Sequence, residues 1–218
     1  THAVIEDGSV VIAGGDVGLV AGSESWIEST AFTLAAAGDN AAGAAGAVND
    51  IQSFAGAKIE GSTVLAGYRK SASFNASDGI ESSDYSLITS SESDLSLSTT
   101  VGSAIRSLSI GVSGSGKVAL SGNIQPNVIV ETVESVITGS TVKAAGSVNL
   151  RAAERAPIVP PGDLFDLVPE NVKNEVQGIL DDTPLDLNVN ILTAAVTVSG
   201  SGKAAAGATF SVNNIVKT

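Results

Sequence analysis

The sequence predicts an all-β chain wound as a parallel β-helix with a short helical insertion. Three observations carry this: blocks that copy one another in register, an apolar period of two inside those blocks, and a stock of core residues with few aromatics. Hydrophobic residues make up 43% of the 218-residue chain and aromatics only 4%, so the core is built from Val, Ile, Leu and Ala. That apolar share is too high for a disordered chain, and the 24 glycines therefore read as turn and close-packing positions.

The repeats come first. Gly8 to Ala21 overlays Gly139 to Ala152 without a gap, and a third copy opens at Gly61-Ser62-Thr63-Val64-Leu65-Ala66-Gly67. The third copy is looser afterwards, with Ala72, Phe74 and Ala76 taking the alternating apolar places. Ile27, Ile80 and Ile158 each follow the opening Gly of their block by 19 residues. A second block, Val112-Ser113-Gly114-Ser115-Gly116-Lys117, returns as Val198 to Lys203, and its register runs from Ile105–Ile129 to Ile191–Ile215 at a constant offset of 86. Ile27 to Ile51 is a weaker copy of it. The modules then span about residues 8–60, 61–138 and 139–218, with extra length at 81–104 and 159–187. Both insertions follow the same Ile of the module, so both are expected on one side of a stacked structure.

Within the blocks the period is two. Val11, Ala13, Val17, Leu19 and Ala21 share one parity, as do Val142, Ala144, Val148, Leu150 and Ala152, and Leu108, Ile110 and Val112 behave alike before a flexible S-G-S-G. Short strands with small interior residues, in a repeat too small to bury its own face, point to stacked coils. A β-sandwich array is the alternative, and it would ask for antiparallel hairpins and larger core residues. Asn49, Asn127 and Asn213 are expected to form a turn ladder, since Asn tolerates left-handed backbone.

The insertions depart from this pattern. Residues 81–104 are rich in Ser and acids but keep Leu95, Leu97 and Val101 in alternation, which predicts an extra coil or a β excursion. In 159–187, Pro160-Pro161-Gly162 ends the strand pattern, and Val172, Val176, Ile179 and Leu180 follow helical spacing. Pro169 suits a first helical turn and Glu170 its positive end. The apolar residues Leu164, Phe165, Val172, Val176, Ile179 and Leu180 either cover the flank of the stack or dock a partner, and they are the candidate partner-binding residues.

Composition excludes several chemistries. Eleven basic against 23 acidic residues give a net charge of −12, which argues against nucleic acid or an anionic membrane as partner. There is no Cys and one His, so Cys/His zinc sites and thiol catalysis lack their residues, and His2, beside the start of the given chain, is a poor general base for a Ser-His-Asp triad. The densest acidic group, from Asp163 to Asp186, lacks the spacing of a calcium loop. Gly114-Ser115-Gly116-Lys117 lacks the upstream Gly and the following Ser or Thr of a phosphate loop. No catalytic residue, cofactor or metal ligand is assigned. No apolar run approaches the roughly 20 residues of a membrane helix, and the start has no signal-peptide pattern, so the expectation is a soluble piece of a longer chain without membrane insertion.

The pattern G-S-T-V-x-A-x-G-x-V-x-L-x-A at Gly139 to Ala152, followed by a Gly-rich aliphatic block ending N-x-I, resembles the repeats of large filamentous-haemagglutinin-like bacterial adhesins. The resemblance covers most of the chain outside the two insertions. It implies a right-handed β-helix shaft, a secreted or cell-surface location and an adhesive or structural role. The implied partner is a glycan or protein of a host surface, a neighbouring cell or the matrix. It transfers no catalytic residues. Two alternatives stay open: a subunit of an extracellular filament that associates end to end, and a polysaccharide-active β-helix enzyme.

Overall fold

The computed structural model describes residues 1–72, 81–88, 92–155 and 189–218, and among these the chain is all-β with no helix. In chain order the strands are β1 (His2–Ile5), β2 (Val10–Ala13), β3 (Val17–Ala37), β4 (Asn40–Gly46), β5 (Asn49–Glu60), β6 (Thr63–Ala66) and β7 (Tyr68–Lys70). They continue as β8 (Tyr85–Leu87), β9 (Leu95–Ser115), β10 (Val118–Thr138), β11 (Thr141–Ala144), β12 (Val148–Glu154), β13 (Ile191–Ser201) and β14 (Ala204–Lys217). A short sheet holds β2, β6 and β11; a front sheet holds β3, β9, β12 and β13; a back sheet holds β1, β4, β5, β10 and β14. Every pairing in these three sheets is parallel. The chain visits the short, front and back sheets in that order three times, so parallel neighbours are always one circuit apart.

The opening blocks set the corner of each circuit. Val11, Val64 and Val142 stand in one register across the short sheet and share one apolar cluster. Gly8, Gly61 and Gly139 precede them with φ of +72°, +55° and +56°, a left-handed backbone that only Gly adopts without penalty, which is why the block begins with Gly. At the opposite end, two-residue turns at Gly38-Asp39, Gly116-Lys117 and Gly202-Lys203 join front to back. A Cβ on Gly116 would lie 2.3 Å from the Gly38 carbonyl oxygen, and one on Gly202 2.6 Å from that of Gly116. At Gly116 and Gly202 the turns stack closely enough that only Gly fits, while Gly38 ends the stack with open space around it. Pro126 sits in the central strand β10 without an N–H to donate, and the first circuit's back strand is interrupted at the facing Ala47-Val48.

The interior is zoned along the strands. Near the short sheet it is apolar: Leu19, Leu95, Leu97, Ala57, Ile59 and Val64 form one buried cluster. Farther along, Ile27, Ile105 and Ile191 of the front sheet meet Ile51 and Ile129 of the back. Beyond these isoleucines the space between the sheets turns polar. Asn49 donates to the Asn127 amide oxygen at 2.7 Å, and Asn127 donates to Asn213 at 3.0 Å and to Thr193 at 2.8 Å. Asn123 donates to the Val196 carbonyl at 2.8 Å, and Ser121 and Ser199 lie 2.6 Å apart nearer the turns. With its amide turned as the surrounding donors require, Gln125 accepts from Ser107 Oγ and the Ser109 N–H and donates to the Ala194 carbonyl. Asn127 and Gln125 are both fully buried, so these bonds are made out of reach of water.

Several expectations need correction. The strands are long, 21 residues in β3, β9 and β10, because the two blocks of a module run on without a break. The Asn ladder exists but lies inside the strands and not at turns. S-G-S-G is mostly strand, and only Gly116-Lys117 turns. Leu108 and Ile110 point away from the interior, because Leu95, Leu97 and Ile105 fix the inward parity on the same unbroken strand and leave Ser107 and Ser109 inside. In the second circuit the chain leaves the common path at Gly67, and Leu95 and Leu97, not Ala72 and its neighbours, take the places beside Val17 and Leu19. The extra length there is 67–94, and residues 95–104 belong to β9. It contains the antiparallel β7–β8 hairpin, the single antiparallel pairing among the described strands. In the third circuit the front strand is interrupted between Glu154, opposite Val101, and Ile191, opposite Ile105. The two insertions thus leave from different places, one at a corner and one within the front sheet. The helix expected at 159–187 lies outside the described residues, as do Phe74, Ala76, Ile80 and Ile158.

Candidate interaction surface

All six sequence-predicted site residues, Leu164, Phe165, Val172, Val176, Ile179 and Leu180, lie outside the described residues. The described chain offers two other features: a cavity beside the third circuit and the outer face of the back sheet.

The cavity, about 300 Å³, is lined by Val101, Val133, Ala152 and Ala153, with Glu131, Glu154 and Lys217 as its charged residues. Glu131 points inward from β10, in register with Ser53 of β5, and is 1% exposed; among the described residues neither carboxylate oxygen has a hydrogen-bond partner, and neither reaches solvent. Glu154 is ion-paired with Lys217 and accepts a 3.4 Å bond from Asn190. Hydrolysis of a glycan by the usual route places two solvent-reachable carboxyl groups about the scissile bond. The cavity presents one, and Lys217 already holds it. No group of three or more His, Cys, Asp or Glu able to hold a metal occurs among the described residues. His2 packs its ring on Phe54, 4.6 Å between centroids.

The 67–94 excursion is tied back to the stack. Tyr68 and Tyr85 meet edge to face at 5.6 Å, and Lys143 of β11 donates to the Tyr85 hydroxyl at 2.8 Å. That bond holds the Lys143 ammonium above its ordinary value of 10.5. Where the excursion rejoins, Asp16 accepts from the Asp94 N–H at 2.8 Å and Asp94 from the Ser147 N–H at 2.6 Å, so each carboxylate caps the next circuit's corner. Asp16 and Asp94 each stand one residue before the paired Val17 and Leu95, an equivalence that the insertion hides in the sequence.

The outer face of the back sheet is apolar. Since the odd-numbered residues of β10 and β14 point inward, the even ones face out: Leu120 (48% exposed), Ile124 (57%), Phe210 (61%) and Val212 (45%). Among them Ala44, Gly122 and Ala208 leave a hollow of about 470 Å³, walled by Ile124 and Phe210. From residue 40 to 48, 118 to 130 and 204 to 216 no outward position is charged, although the chain carries −12 overall. The front sheet differs: on its outer side Leu108 and Ile110 are fully buried, and Ala194 and Val196 are 9% and 7% exposed. The signal for this surface was in the sequence as the apolar even positions of the N-x-I block, which a reading that sends apolar residues inward assigns to the core.

Among the described residues no helix is long and apolar enough to cross a membrane. Comparison with family models, with curated proteins and with solved structures gives no match.

Proposed function

We propose that this chain is a non-catalytic shaft segment of a secreted or cell-surface bacterial adhesin, similar to the filamentous-haemagglutinin kind, wound as a right-handed parallel β-helix. The observation that carries the reading is the ladder Asn49–Asn127–Asn213, buried at Asn49 and Asn127, which runs through all three circuits at one position. A side-chain ladder of this kind locks the register of successive layers, and layers that contact only their neighbours add up to a stiff rod. Right-handedness follows from the strong preference of parallel crossovers for that hand. The sealed Glu131 and the paired Glu154 favour a structural role over glycan cleavage. The task of such a shaft is to hold an adhesive element away from the cell that carries it.

A filament subunit is the second reading. β3 and β14 each pair along one edge only among the described strands, and such edges accept further strands. Electron microscopy of the purified chain separates the two: isolated short rods support the shaft, and long uniform fibres the filament. Release of reducing or unsaturated ends from acidic glycans would sink both.

A further inference from the structure

We infer that the outer face of the back sheet is a self-pairing surface, through which two copies of this chain pack sheet to sheet about a two-fold axis. The inference goes beyond the shaft reading, since a rod can be stiff and adhesive as a single chain.

The argument begins with an inversion of the usual pattern. Past the isoleucine cluster the interior is filled by Asn, Gln, Ser and Thr, and the apolar residues of the same strands point outward. Of those on the front sheet, Leu108, Ile110, Ala194 and Val196 are buried and only Phe32 and Leu34 of β3 stay exposed, whereas on the back sheet Leu120, Ile124, Phe210 and Val212 all stay about half exposed. A contiguous apolar face of this size is seldom left uncovered in a soluble monomer.

The shape of the face selects its occupant. Phe210 and Ile124 stand up beside the hollow over Ala44, Gly122 and Ala208. A surface carrying a knob and a hollow side by side is its own complement: a two-fold operation sets each copy's Phe210 over the other's hollow. Charge agrees with this. A chain at −12 repels its own copies, and on this broad face of the described residues that repulsion has no local source; Asp50 and Gln52, bonded to each other at 3.1 Å, stand at its rim. The same negative charge opposes an anionic lipid surface. Three strands about 4.8 Å apart and some 13 residues long give a footprint of roughly 600 Å² per copy. Pairing then buries roughly 1,200 Å², within the range of specific interfaces.

The test is the oligomeric state of the full 218-residue chain by sedimentation velocity between about 1 and 200 µM, with two variants. Gly122→Val fills the hollow: its added Cβ meets nothing closer than the Ala208 carbonyl oxygen at 3.8 Å, so the single chain accommodates it. Phe210→Lys puts a charge on the knob. The expected result is a dimer whose dissociation constant rises at least tenfold in each variant, with the circular dichroism spectrum and melting profile of the dissociated chain unchanged. Leu34→Ser, on the exposed part of the front sheet, leaves the dimer intact. A wild-type chain that is monomeric throughout this range overturns the inference, and so does a dimer indifferent to both variants. Flotation with neutral or anionic vesicles that Phe210→Lys abolishes would assign the face to lipid instead and would also overturn it. A folded monomeric rod would remove the pairing and leave the shaft reading standing, so the two failures are distinguishable.

Discussion

Asn127 is the centre of its ladder: it accepts from Asn49 in the interior and donates to Thr193 and Asn213 toward the open end. Truncating it strands a donor on one side and acceptors on the other, and each buried orphan costs about 1–3 kcal/mol. Asn127→Ala is expected to lower stability by about 3 kcal/mol in urea denaturation, whereas Asn213→Ala, at the exposed end of the ladder, costs under half of that. The offsets of 78 and 86 that bring these residues together were legible in the sequence, because stacking demands equal spacing. Their place inside strands was not, since Asn is far commoner in turns and only the neighbouring Ser and Gln side chains give it partners here. Lys143 supplies a pH-dependent contact. Its ammonium is held above 10.5 chiefly by the hydrogen bond to Tyr85, so the contact is fully present below pH 10.5 and is lost as pH rises through the raised value. A ¹³C titration of the Lys143 Cε resonance should give an upward-shifted midpoint that returns to the ordinary value in Tyr85→Phe.

Among the elements, the corner between the short and front sheets is informative because three circuits solve it at two lengths. The first crosses it with Gly14-Gly15-Asp16 and the third with Ala145-Gly146-Ser147, while the second uses residues 67–94. Loop length changes closure entropy only logarithmically, so the excursion is a tolerated addition and not a support. Replacing residues 67–94 with Gly-Gly-Asp is expected to leave a folded chain, with the melting temperature lowered by only a few degrees through loss of the Lys143–Tyr85 contact and the β7–β8 hairpin. An unfolded product would show that the excursion belongs to the core. The sequence carried the corner itself, through the Gly8, Gly61 and Gly139 blocks, but misplaced the insertion: Ile80 shares a spacing of 19 with Ile27, yet the residue that stacks on Ile27 is Ile105. Equal spacing is a condition for stacking and does not by itself identify the stacked pair. The parity of β9 was obscured for a related reason. Its second half, read alone, sends Leu108 and Ile110 inward, and only the continuity of one 21-residue strand from Leu95 reverses that.

At the scale of the whole molecule, circuits of 53 to 86 residues separate every strand of the three sheets from its partners, and no local hairpin stabilises any of them. The middle circuit supplies both neighbours of the interior ladder, so the outer two are held together through β9 and β10. This leaves the fold class visible in the sequence, as repetition, while its mechanical centre is visible only once the sheets are assembled. The order of synthesis adds a consequence. β3 ends at Ala37, and its partner β9 begins at Leu95 and closes at Ser115, a lag of 78 residues for every position. At ribosomal rates of about 5–20 residues per second, each part of β3 waits roughly 4–16 s for its mate to be made. During that interval Trp26, Phe32 and Leu34 belong to an unpaired thread, so the nascent chain passes through a long phase in which it is easily held extended by a chaperone and equally easily lost to aggregation.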